Sequence, residues 1–560
     1  KYKFTFFLLL PFLFLTAMAQ TKQRPTLDDL MWGGTNYWNL QPPSVQTTWW
    51  GDALVQTNVN DVRLILDAKG KKLGTDGQVL FDLSALNNVL DTARYGKVHN
   101  LIGTTFPEGT KTVAKITLAK AIVAYDWKQK AIVWTLPLQR GIGHQDFCNA
   151  SRSLAFTKDY NLFVTTSDGR THQVSTDGNR ELSGTSVHRD EFGIHKGTFW
   201  SPKGDQLAFY RMDQSMVTDY PQGDTEVRIA QPDPDKYPMA GMAMHKVTVG
   251  IFSPATDRTV WLELGDVTDR YFTNLSWSPD GKTLYIMEVP RSQKRCDLVA
   301  YDATTGKRLK TLYTETNERF VEPQNPLTFL PWDDHKFIYQ SERDGFNHLY
   351  LFDTNGKMLR QLTQGKFEVL DLLGFNTAKR SIIVRTNESG HIRENLYAVD
   401  FKTGRHTLLD NGVGLHRASL SENGRYLRDT WSTPTDYRHI DIKSTEKKQT
   451  LSSLLNAENP WRNFTMPEVE NGSILAADGK TPLYYRLVKP VDFDPTKKYP
   501  AVVYVYGGPH ATNVKESFNY QARPWEYYMA NRGYVLFILD NRGSGDRGFD
   551  FESCTHRHLG

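Results

Sequence analysis

Cysteine is scarce in this sequence, and the spacing of its few copies excludes two classes of protein. Only Cys148, Cys296 and Cys554 occur in 560 residues, and none forms a Cys-x-x-Cys pair. Disulfide-rich scaffolds and zinc ribbons need closely spaced cysteines, so neither is expected. His-Glu-x-x-His and carboxylate-rich calcium loops are also missing. The sequence therefore predicts no metal site and no cofactor.

An excess of charge of either sign is lacking as well. Lys and Arg number 67 against 63 Asp and Glu, which leaves a net charge of +4. A nucleic-acid binder normally carries a basic excess or stripe, so no nucleic-acid partner is expected. Hydrophobic residues at 39% and charged residues at 23% are typical of a folded chain. The 12% of aromatic residues favours a β-rich architecture.

Residues 1–19 have the composition of a secretory signal peptide. Lysines at positions 1 and 3 flank the start of an apolar run from Phe4 to Leu15, and small residues follow at Ala17 and Ala19. A basic start, an apolar stretch and an Ala-x-Ala exit are the parts of such a peptide. An uncleaved anchor would need about 20 apolar residues. We therefore predict export to the periplasm or the cell surface, with cleavage after Ala19.

One short pattern recurs through the middle of the chain. It consists of an aromatic or apolar residue, Ser or Thr, Pro or a polar residue, Asp or Lys, Gly, and an alternating strand. The clearest copies are residues 200–204, Trp-Ser-Pro-Lys-Gly, and residues 277–281, Trp-Ser-Pro-Asp-Gly. Weaker copies begin near Phe156, Phe329, Phe375 and Leu420. The intervals are 44, 77, 52, 46 and 45 residues; all but the 77-residue one, which is too long for a single blade, fit the period of a four-stranded propeller blade.

The later part of each unit recurs as a strand, a glycine turn and a return strand, in residues 299–307, 349–357 and 396–405. The longest interval contains residues 221–244, which we expect to be an inserted loop. Two further units fit between Trp50 and Phe156. We therefore predict an eight-bladed β-propeller over residues 45–455, after an N-terminal segment at residues 20–44. A β-sandwich is the alternative fold.

The composition changes near residue 456, and residues 456–560 predict the start of an α/β sheet. Residues 472–487 resemble a hairpin around Asp478 and Gly479. Residues 501–506 form a continuous apolar run, which favours a central strand covered on both faces. A helical stretch then ends at Gly533, and residues 534–540 predict a second buried strand.

Several strings in this sequence resemble a known family. They include residues 187–194, Val-His-Arg-Asp-Glu-Phe-Gly-Ile, residues 503–509, Val-Tyr-Val-Tyr-Gly-Gly-Pro, and residues 540–545, Asp-Asn-Arg-Gly-Ser-Gly. With the signal peptide and the propeller, they are similar to the dipeptidyl peptidase IV branch of the prolyl oligopeptidase family of serine peptidases, and within it to bacterial prolyl tripeptidyl peptidases. The resemblance implies an eight-bladed propeller followed by an α/β-hydrolase domain with a Ser–Asp–His triad.

The nucleophile elbow Gly-x-Ser-x-Gly does not occur in the 560 residues. Ser544 lies between two glycines, but Arg542 stands where the motif needs its first glycine, so Ser544 is predicted to be a turn residue. In the family, the triad follows the segment that matches residues 557–560. We therefore expect the chain to be a fragment that contains only the N-terminal part of the hydrolase domain, without the triad, and inactive by itself.

The resemblance assigns roles to three residues. Tyr506 matches the tyrosine whose hydroxyl stabilises the oxyanion, although a core aromatic beside a turn is the plainer interpretation. Glu191 matches the glutamate that binds the substrate's α-ammonium group. Dipeptidyl enzymes carry a Glu-Glu pair there, whereas the tripeptidyl enzymes carry a single Glu before Phe-Gly. Asp190 departs from both patterns; it either mimics the first acid of the pair or pairs with Arg189 on the surface.

The histidines do not form a metal cluster, and His188 and His195 are predicted to be surface or turn histidines. The resemblance implies an exported exopeptidase that releases N-terminal tripeptides or dipeptides by cleavage after proline. Its partners would be peptides with a free N-terminus, and a homodimer is one assembly that it allows. The alternative is a non-catalytic propeller that binds peptides and carries a degenerate hydrolase remnant.

Overall fold

The computed structural model describes residues 22–74 and 76–559, in which β-sheet dominates. The predicted signal peptide at residues 1–19 lies outside the described residues. Across that described part, eight antiparallel sheets follow one another over residues 47–457, and a mixed sheet comes after them. No helix in the described ranges is both long and apolar enough to cross a bilayer.

We number the eight sheets as blades 1 to 8, each formed by one contiguous stretch of chain. Blade 1 contains Thr47–Trp50, Ala53–Thr57, Asp61–Leu66 and Gln78–Asp82. Blade 2 contains Val113–Thr117, Ala121–Asp126 and Ala131–Pro137. Blade 3 contains Gly143–Cys148, Ser153–Lys158, Asn161–Thr165 and Thr171–Gln173. Blade 4 contains Glu181–Ser183, Thr198–Trp200, Leu207–Asp213, Lys246–Ser253 and Arg258–Trp261.

Blades 5 to 8 are more regular, with four strands in each blade. Blade 5 contains Arg270–Trp277, Thr283–Pro290, Arg295–Asp302 and Arg308–Thr316. Blade 6 contains Thr328–Leu330, Asp333–Ser341, His348–Asp353 and Met358–Gln361. Blade 7 contains Val369–Asn376, Ser381–Thr386, Asn395–Asp400 and His406–Leu408. Blade 8 contains Leu415–Leu420, Tyr426–Ser432, Arg438–Ser444 and Thr450–Ala457.

The last blade meets the first, which closes the ring into a propeller. The Trp49 indole N–H donates to the Ser419 hydroxyl at 3.2 Å. The backbone N–H of Asn423 donates to Asp52 at 3.1 Å, and a guanidinium N–H of Arg428 in blade 8 reaches a carbonyl just before blade 1 at 3.0 Å. Because these contacts join residues about 370 positions apart, only a closed ring can make them.

The aromatic residue of the repeat attaches its blade to the preceding one. The indole N–H of Trp200 in blade 4 donates to the carbonyl of Asp146 in blade 3 at 3.0 Å. The indole N–H of Trp277 in blade 5 donates to the carbonyl of Phe199 in blade 4 at 3.0 Å. The N–H of a half-buried indole usually finds such an acceptor, so the recurring tryptophan both fills the space between blades and fixes their separation.

The Ser-Pro-x-Gly part of the repeat forms the turn between the first two long strands of a blade. In blade 4, the Ser201 hydroxyl accepts from the Gln206 N–H at 3.1 Å, and the Ser201 carbonyl accepts from the Gly204 N–H at 2.8 Å. Gly204 has a φ of +71°, and a Cβ there would meet Cys148 Sγ at 2.5 Å. Both the backbone conformation and the close approach therefore require glycine.

The prediction that a weak copy of the repeat begins near Phe156 was wrong by one strand. Phe156 lies in the second strand of blade 3, whereas the copies in blades 5 to 8 lie at the end of the first strand of their blade and Trp200 ends the short strand before Leu207–Asp213. In blade 3 the turn at that place has Arg152, with a φ of +56°, where the clear copies have glycine. The pattern was missed because a non-glycine residue takes the left-handed position.

The three strand–turn–strand predictions in the later parts of the blades are confirmed, as is the insertion in blade 4. The insertion forms two short ribbons, which pair Asp219–Tyr220 with Asp235–Lys236 and Gly223–Asp224 with Gln231–Pro232.

The mixed sheet after the propeller has the strand order Glu468–Leu475, Pro482–Lys489, Val535–Leu539, Ala501–Tyr504. The predicted hairpin around Gly479 is confirmed, and the last two strands of that order are parallel. The prediction for residues 501–506 was wrong in part. The strand ends at Tyr504, lies at the edge of the sheet and leaves Val503 63% exposed, because it pairs only with Val535–Leu539.

Short helices complete the described part. The α-helices are Leu27–Leu30, Leu83–Asn87, Thr92–Tyr95, Pro524–Ala530 and Phe549–Glu552, and the 3₁₀ helices are Tyr37–Leu40, His188–Asp190, Pro460–Asn463 and Ser553–Thr555. The N-terminal segment packs on the mixed sheet, since Leu30 and Leu40 share a buried cluster with Tyr527 and Ile538. It also contacts blade 8, where the Tyr437 hydroxyl donates to the Leu40 carbonyl at 2.8 Å.

Candidate functional site

The segment that carries Glu191 has an unusual backbone. His188, Arg189 and Asp190 form a short 3₁₀ turn with φ values of +56°, +59° and +64°, and Phe192 has +58°. Left-handed conformations cost non-glycine residues on the order of 1–3 kcal/mol each, and they persist where the surroundings hold them. The conformation of this turn must therefore be maintained by contacts on both sides.

Those contacts come from the neighbouring blades and the insertion. The Arg189 guanidinium donates to Asp235 in the insertion at 2.8 Å and stacks on the Tyr237 ring. On the other side, Phe192 is buried against Tyr271 with ring centroids 4.9 Å apart. The exposed Arg189 on one side of Glu191 and the buried Phe192 on the other are therefore each held by a contact, and together they fix the backbone at Glu191.

Glu191 itself is left free for a ligand. Its side chain is exposed, and no hydrogen bond or ion pair to it is found among the described residues. Partial burial raises the pKa of its carboxyl, and the nearby carboxylates of Glu322 and Asp190 raise it further, whereas His510 lowers it. The ionised form of a carboxylate that lies near other carboxylates is stabilised by an added cation. Binding of a substrate's α-ammonium group to Glu191 would have this effect.

Asp190 is oriented differently. Its carboxylate accepts a hydrogen bond from the Ser186 hydroxyl, and Arg189 pairs with Asp235. The interpretation of Asp190 as a surface partner of Arg189 is therefore wrong, because the insertion supplies a competing acid. A role for Asp190 in substrate binding stays a prediction.

A cavity of about 310 Å³ lies between the propeller and the C-terminal part of the chain. Its walls include Glu322, Glu342 and Glu368 from the propeller, and His510 and Glu552 from the other side. Burial, followed by repulsion from neighbouring carboxylates, raises the pKa of Glu342 to about 8. Burial also raises the pKa of Glu368 to about 7. The cavity is thus rich in carboxyl groups, although Arg343 and His510 also line it.

His510 connects the two sides of this cavity. Its Nε2 lies 3.0 Å from Glu322, its Nδ1 lies 3.2 Å from Glu552, and its backbone N–H donates to Glu552 at 2.8 Å. The hydrogen bond to Glu322, reinforced by the charges of Glu552 and Glu191, raises the pKa of His510 to about 9 despite partial burial. The imidazole is therefore protonated at neutral pH and neutralises part of the acidic cluster.

Sequence reasoning missed Glu322, Glu342, Glu368, His510 and Glu552 as members of one site. His510 directly follows the string at residues 503–509 that carries the resemblance, so the signal that could have identified it was present. The four glutamates lie at positions 322, 342, 368 and 552, and their spacing in sequence carries no sign that they meet.

Tyr506 lies two residues beyond the end of the edge strand, and its side chain is 61% exposed. No hydrogen bond of its hydroxyl is found among the described residues, and the residues that line the cavity include His510 but not Tyr506. The exposed ring does not fit a core aromatic. The oxyanion role stays a prediction, since the described part provides no partner for the hydroxyl.

The remaining polar predictions have mixed outcomes. Ser544 is a turn residue whose hydroxyl donates to the Asn541 carbonyl at 2.9 Å, as predicted. His195 is exposed, as predicted; His188 lies in a turn, which was the other alternative, but it is buried at 2% exposure. The three cysteines are free thiols. No group of three or more His, Cys, Asp or Glu in residues 22–74 and 76–559 is arranged to hold a metal ion.

A closed propeller of eight sheets within the described residues, with an acidic cavity against a second, mixed sheet, defines a two-part β-propeller protein. Residues 109–437, more than half of the chain, match the family described as "Dipeptidyl peptidase IV (DPP IV) N-terminal region". The chain therefore belongs to the dipeptidyl peptidase IV family.

Relatives and solved structures agree with this family. The chain is 27% identical over 434 residues to the Aspergillus fumigatus protein named probable dipeptidyl peptidase 4, a match that covers 73% of the chain and 56% of the relative. It is 26% identical over 459 residues to a probable dipeptidyl-aminopeptidase B of Pyrenophora teres f. teres, covering 73% and 49%. The chain thus spans about half the length of the curated relatives it matches.

Two solved structures share the fold. A Bacteroides ovatus protein assigned as a dipeptidyl aminopeptidase IV superposes with a TM-score of 0.88 at 42% identity, over 95% of this chain and 76% of the other. Dipeptidyl peptidase 4 of Porphyromonas gingivalis superposes with a TM-score of 0.78 at 24% identity, over 96% and 76%, and supports the fold alone.

Proposed function

We propose that this chain provides the propeller and the first part of the α/β-hydrolase domain of an exported serine exopeptidase. The enzyme releases N-terminal tripeptides, or dipeptides, by cleavage after proline. The observation that carries the proposal is Glu191, a carboxylate without a partner among the described residues, held on a left-handed turn and electrostatically coupled to the cavity groups Glu322 and His510.

The α-ammonium group of a peptide would bind to Glu191. A charge-assisted hydrogen bond in a partly enclosed site is stronger than a neutral one. Burial and then the surrounding carboxylates raise the pKa of Glu191, and an incoming ammonium group would stabilise its ionised form. An acetylated peptide has no such charge, so the proposed site selects for a free amino terminus.

The mixed sheet supports the hydrolase assignment. An antiparallel hairpin precedes two parallel strands joined by a connection that includes the helix Pro524–Ala530, and glycines follow each parallel strand closely. Such a crossover is typical of α/β sheets. In the proposed reaction, water is added across the peptide bond after proline in two acyl-transfer steps. Tyr506 would donate to the oxyanion, and the proposal assigns the Ser–Asp–His triad to residues beyond these 560.

The length of the released peptide depends on the number of acids that face the ammonium group. Asp190 is bound to Ser186, which leaves Glu191 as the single free carboxylate of the turn. This arrangement favours tripeptides, whereas the names of the relatives favour dipeptides. The distance from Glu191 to the nucleophile sets the length, so the ratio of activities on Ala-Ala-Pro-p-nitroanilide and Gly-Pro-p-nitroanilide measures it.

Glu191→Gln tests the proposal in the complete protein. The variant keeps the shape of the side chain and removes its charge, and we expect kcat/KM on free-amino substrates to fall about 10- to 100-fold. Acetyl-Ala-Ala-Pro-p-nitroanilide should be cleaved poorly and equally by both forms. Glu318→Gln, a change at a fully exposed carboxylate, is the matched control and should have no effect.

Two results would contradict the proposal in different ways. Equal kcat/KM for wild type and Glu191→Gln on free-amino substrates would remove Glu191 from the site. Binding of free-amino peptides without hydrolysis by the complete protein would favour the non-catalytic propeller. Export is tested separately, since cleavage after Ala19 would give a mature N-terminus at Gln20.

A further inference from the structure

Two buried histidines lie beneath the turn that presents Glu191, and the proposed reaction does not use either of them. His188 begins the turn, and His245 precedes the long strand Lys246–Ser253 of blade 4. They are 2% and 5% exposed, and His188 Nδ1 lies 2.9 Å from His245 Nε2. A direct hydrogen bond between two buried imidazoles requires a defined distribution of protons.

The backbone fixes that distribution. The N–H of Phe272, in the first strand of blade 5, donates to His188 Nε2 at 3.1 Å. A backbone N–H can only donate, so Nε2 of His188 carries a lone pair and its hydrogen must be on Nδ1. Nδ1–H then donates to Nε2 of His245, which must also carry a lone pair. A proton added to either Nε2 would set two N–H groups against each other.

The surroundings favour the neutral form of both rings. Burial, together with the positive charge of Arg189, lowers the pKa of His245 to about 4. Burial also lowers the pKa of His188 well below its ordinary value. The ring of Tyr271 packs edge-on against His188 with the centroids 5.1 Å apart.

We propose that the neutral His188–His245 pair positions Glu191 by anchoring the start of the left-handed turn to blades 4 and 5. The far end of the turn is fixed by Phe192 against Tyr271 and by Gly193, where a Cβ would collide with the carbonyl of Gln324 in the cavity wall. Because both ends of the turn are fixed, the Glu191 carboxylate is restricted to one position. The two histidines are positioning residues, and the inference rests on the role proposed for Glu191.

The test compares two substitutions at His245 in the complete protein. His245→Leu cannot accept the hydrogen bond from His188, whereas His245→Gln places an amide oxygen near the position of Nε2 and can accept it. Release of the turn weakens ground-state and transition-state binding of the ammonium group alike, which raises KM. We expect His245→Leu to raise KM for Ala-Ala-Pro-p-nitroanilide about tenfold with kcat nearly unchanged. His245→Gln should restore KM to within about threefold of wild type.

His172→Leu is the matched control, because His172 is a buried propeller histidine that pairs with Asp257 outside this turn. It should lose stability to a similar extent without a change in KM. Equal KM values for wild type and His245→Leu would overturn the inference if Glu191→Gln still lowers kcat/KM. If Glu191→Gln leaves kcat/KM unchanged, the result would instead overturn the role of Glu191 in the proposed function.

A second measurement does not depend on activity or on the folding of a variant. The ¹⁵N resonances of histidine-labelled wild-type protein report which ring nitrogen carries the hydrogen. We expect His188 to be neutral with its hydrogen on Nδ1 at pH 7. A hydrogen on Nε2, or a protonated ring, would overturn the inference.

Discussion

Glu394 lies at the junction between the propeller and the C-terminal part, and its substitution should open that junction. Its carboxylate is 3% exposed and pairs with Arg385 and Arg417 in blades 7 and 8. It also accepts from Lys515 Nζ at 2.9 Å, and Lys515 in turn contacts Asp546 at 2.7 Å. Glu394→Gln keeps the size of the side chain but leaves three cations with less counter-charge.

The size of the effect follows from the pKa of Glu394. Burial alone would raise it, but Lys515, Arg417 and Arg385 outweigh burial and lower it from 4.5 to about 2. At about 1.36 kcal/mol per unit, this difference corresponds to about 3 kcal/mol of stabilisation at neutral pH. That value agrees with the cost of about 3–5 kcal/mol for removing one partner of a buried ion pair.

The sign of the pH dependence follows as well. The pKa is lower in the folded protein, so the contribution is complete above pH 4.5 and is lost as the pH falls towards 2. At pH 3 about 1.4 kcal/mol should remain. The difference between wild type and Glu394→Gln should therefore shrink in acid.

Amide hydrogen exchange followed by mass spectrometry measures local opening of this junction. In Glu394→Gln at pH 7, peptides that cover residues 511–520 should exchange about 100-fold faster, or more, once the intrinsic rates are matched. Glu468→Gln, which breaks an exposed pair with Lys489, should change exchange by less than about fivefold. Equal protection in wild type and Glu394→Gln would refute the reasoning, as would a difference that does not depend on pH.

Two further predictions concern the cavity and the proposed oxyanion site. In the complete enzyme, Tyr506→Phe should lower kcat far more than it raises KM, because the hydroxyl would act on charge that exists only in the transition state; an unchanged kcat in steady-state assays would return Tyr506 to a structural role. The pKa of His510 is raised to about 9, so its contribution to the contact with Glu322 is complete below pH 6.5 and is lost as the pH rises through 9. Hydrogen exchange in residues 508–511 should therefore accelerate between pH 6.5 and 9 in wild type but not in His510→Gln. The change in the free energy of local opening is limited to about 1 kcal/mol because the His510 side chain is half exposed.

Features that depend on neighbouring residues were predictable from the sequence. The turn at Gly204 and the hairpin at Gly479 are each specified within a few residues, and repetition of the first kind of turn was enough to indicate the propeller. The error at Phe156 has the same origin, since Arg152 adopts the left-handed conformation there without the glycine that usually marks it.

Features that depend on distant residues were not predictable in this way. His188 was expected to be a surface or turn histidine, and its burial was not foreseen because nothing near it in sequence shows that His245 lies 2.9 Å away after an insertion. The cluster of His510 with Glu322 and Glu552 is assembled from both parts of the chain, and no local pattern marks it. Glu191 was identified only because the whole string around it resembles a family, since an isolated Asp-Glu pair is usually a solvated surface feature.

The assembly of each blade from one contiguous stretch of chain has a consequence for biosynthesis. Every sheet of the ring is complete once its own segment has left the ribosome, so the blades can form in order, each docking on its predecessor through contacts such as that of Trp277 with the Phe199 carbonyl. The seam between blades 1 and 8 is different, because the hydrogen bond of Trp49 cannot form until Ser419 has been synthesised. A ribosome stalled before blade 8 would therefore hold seven docked blades in an open arc, with the inner face of blade 1 accessible to chaperones.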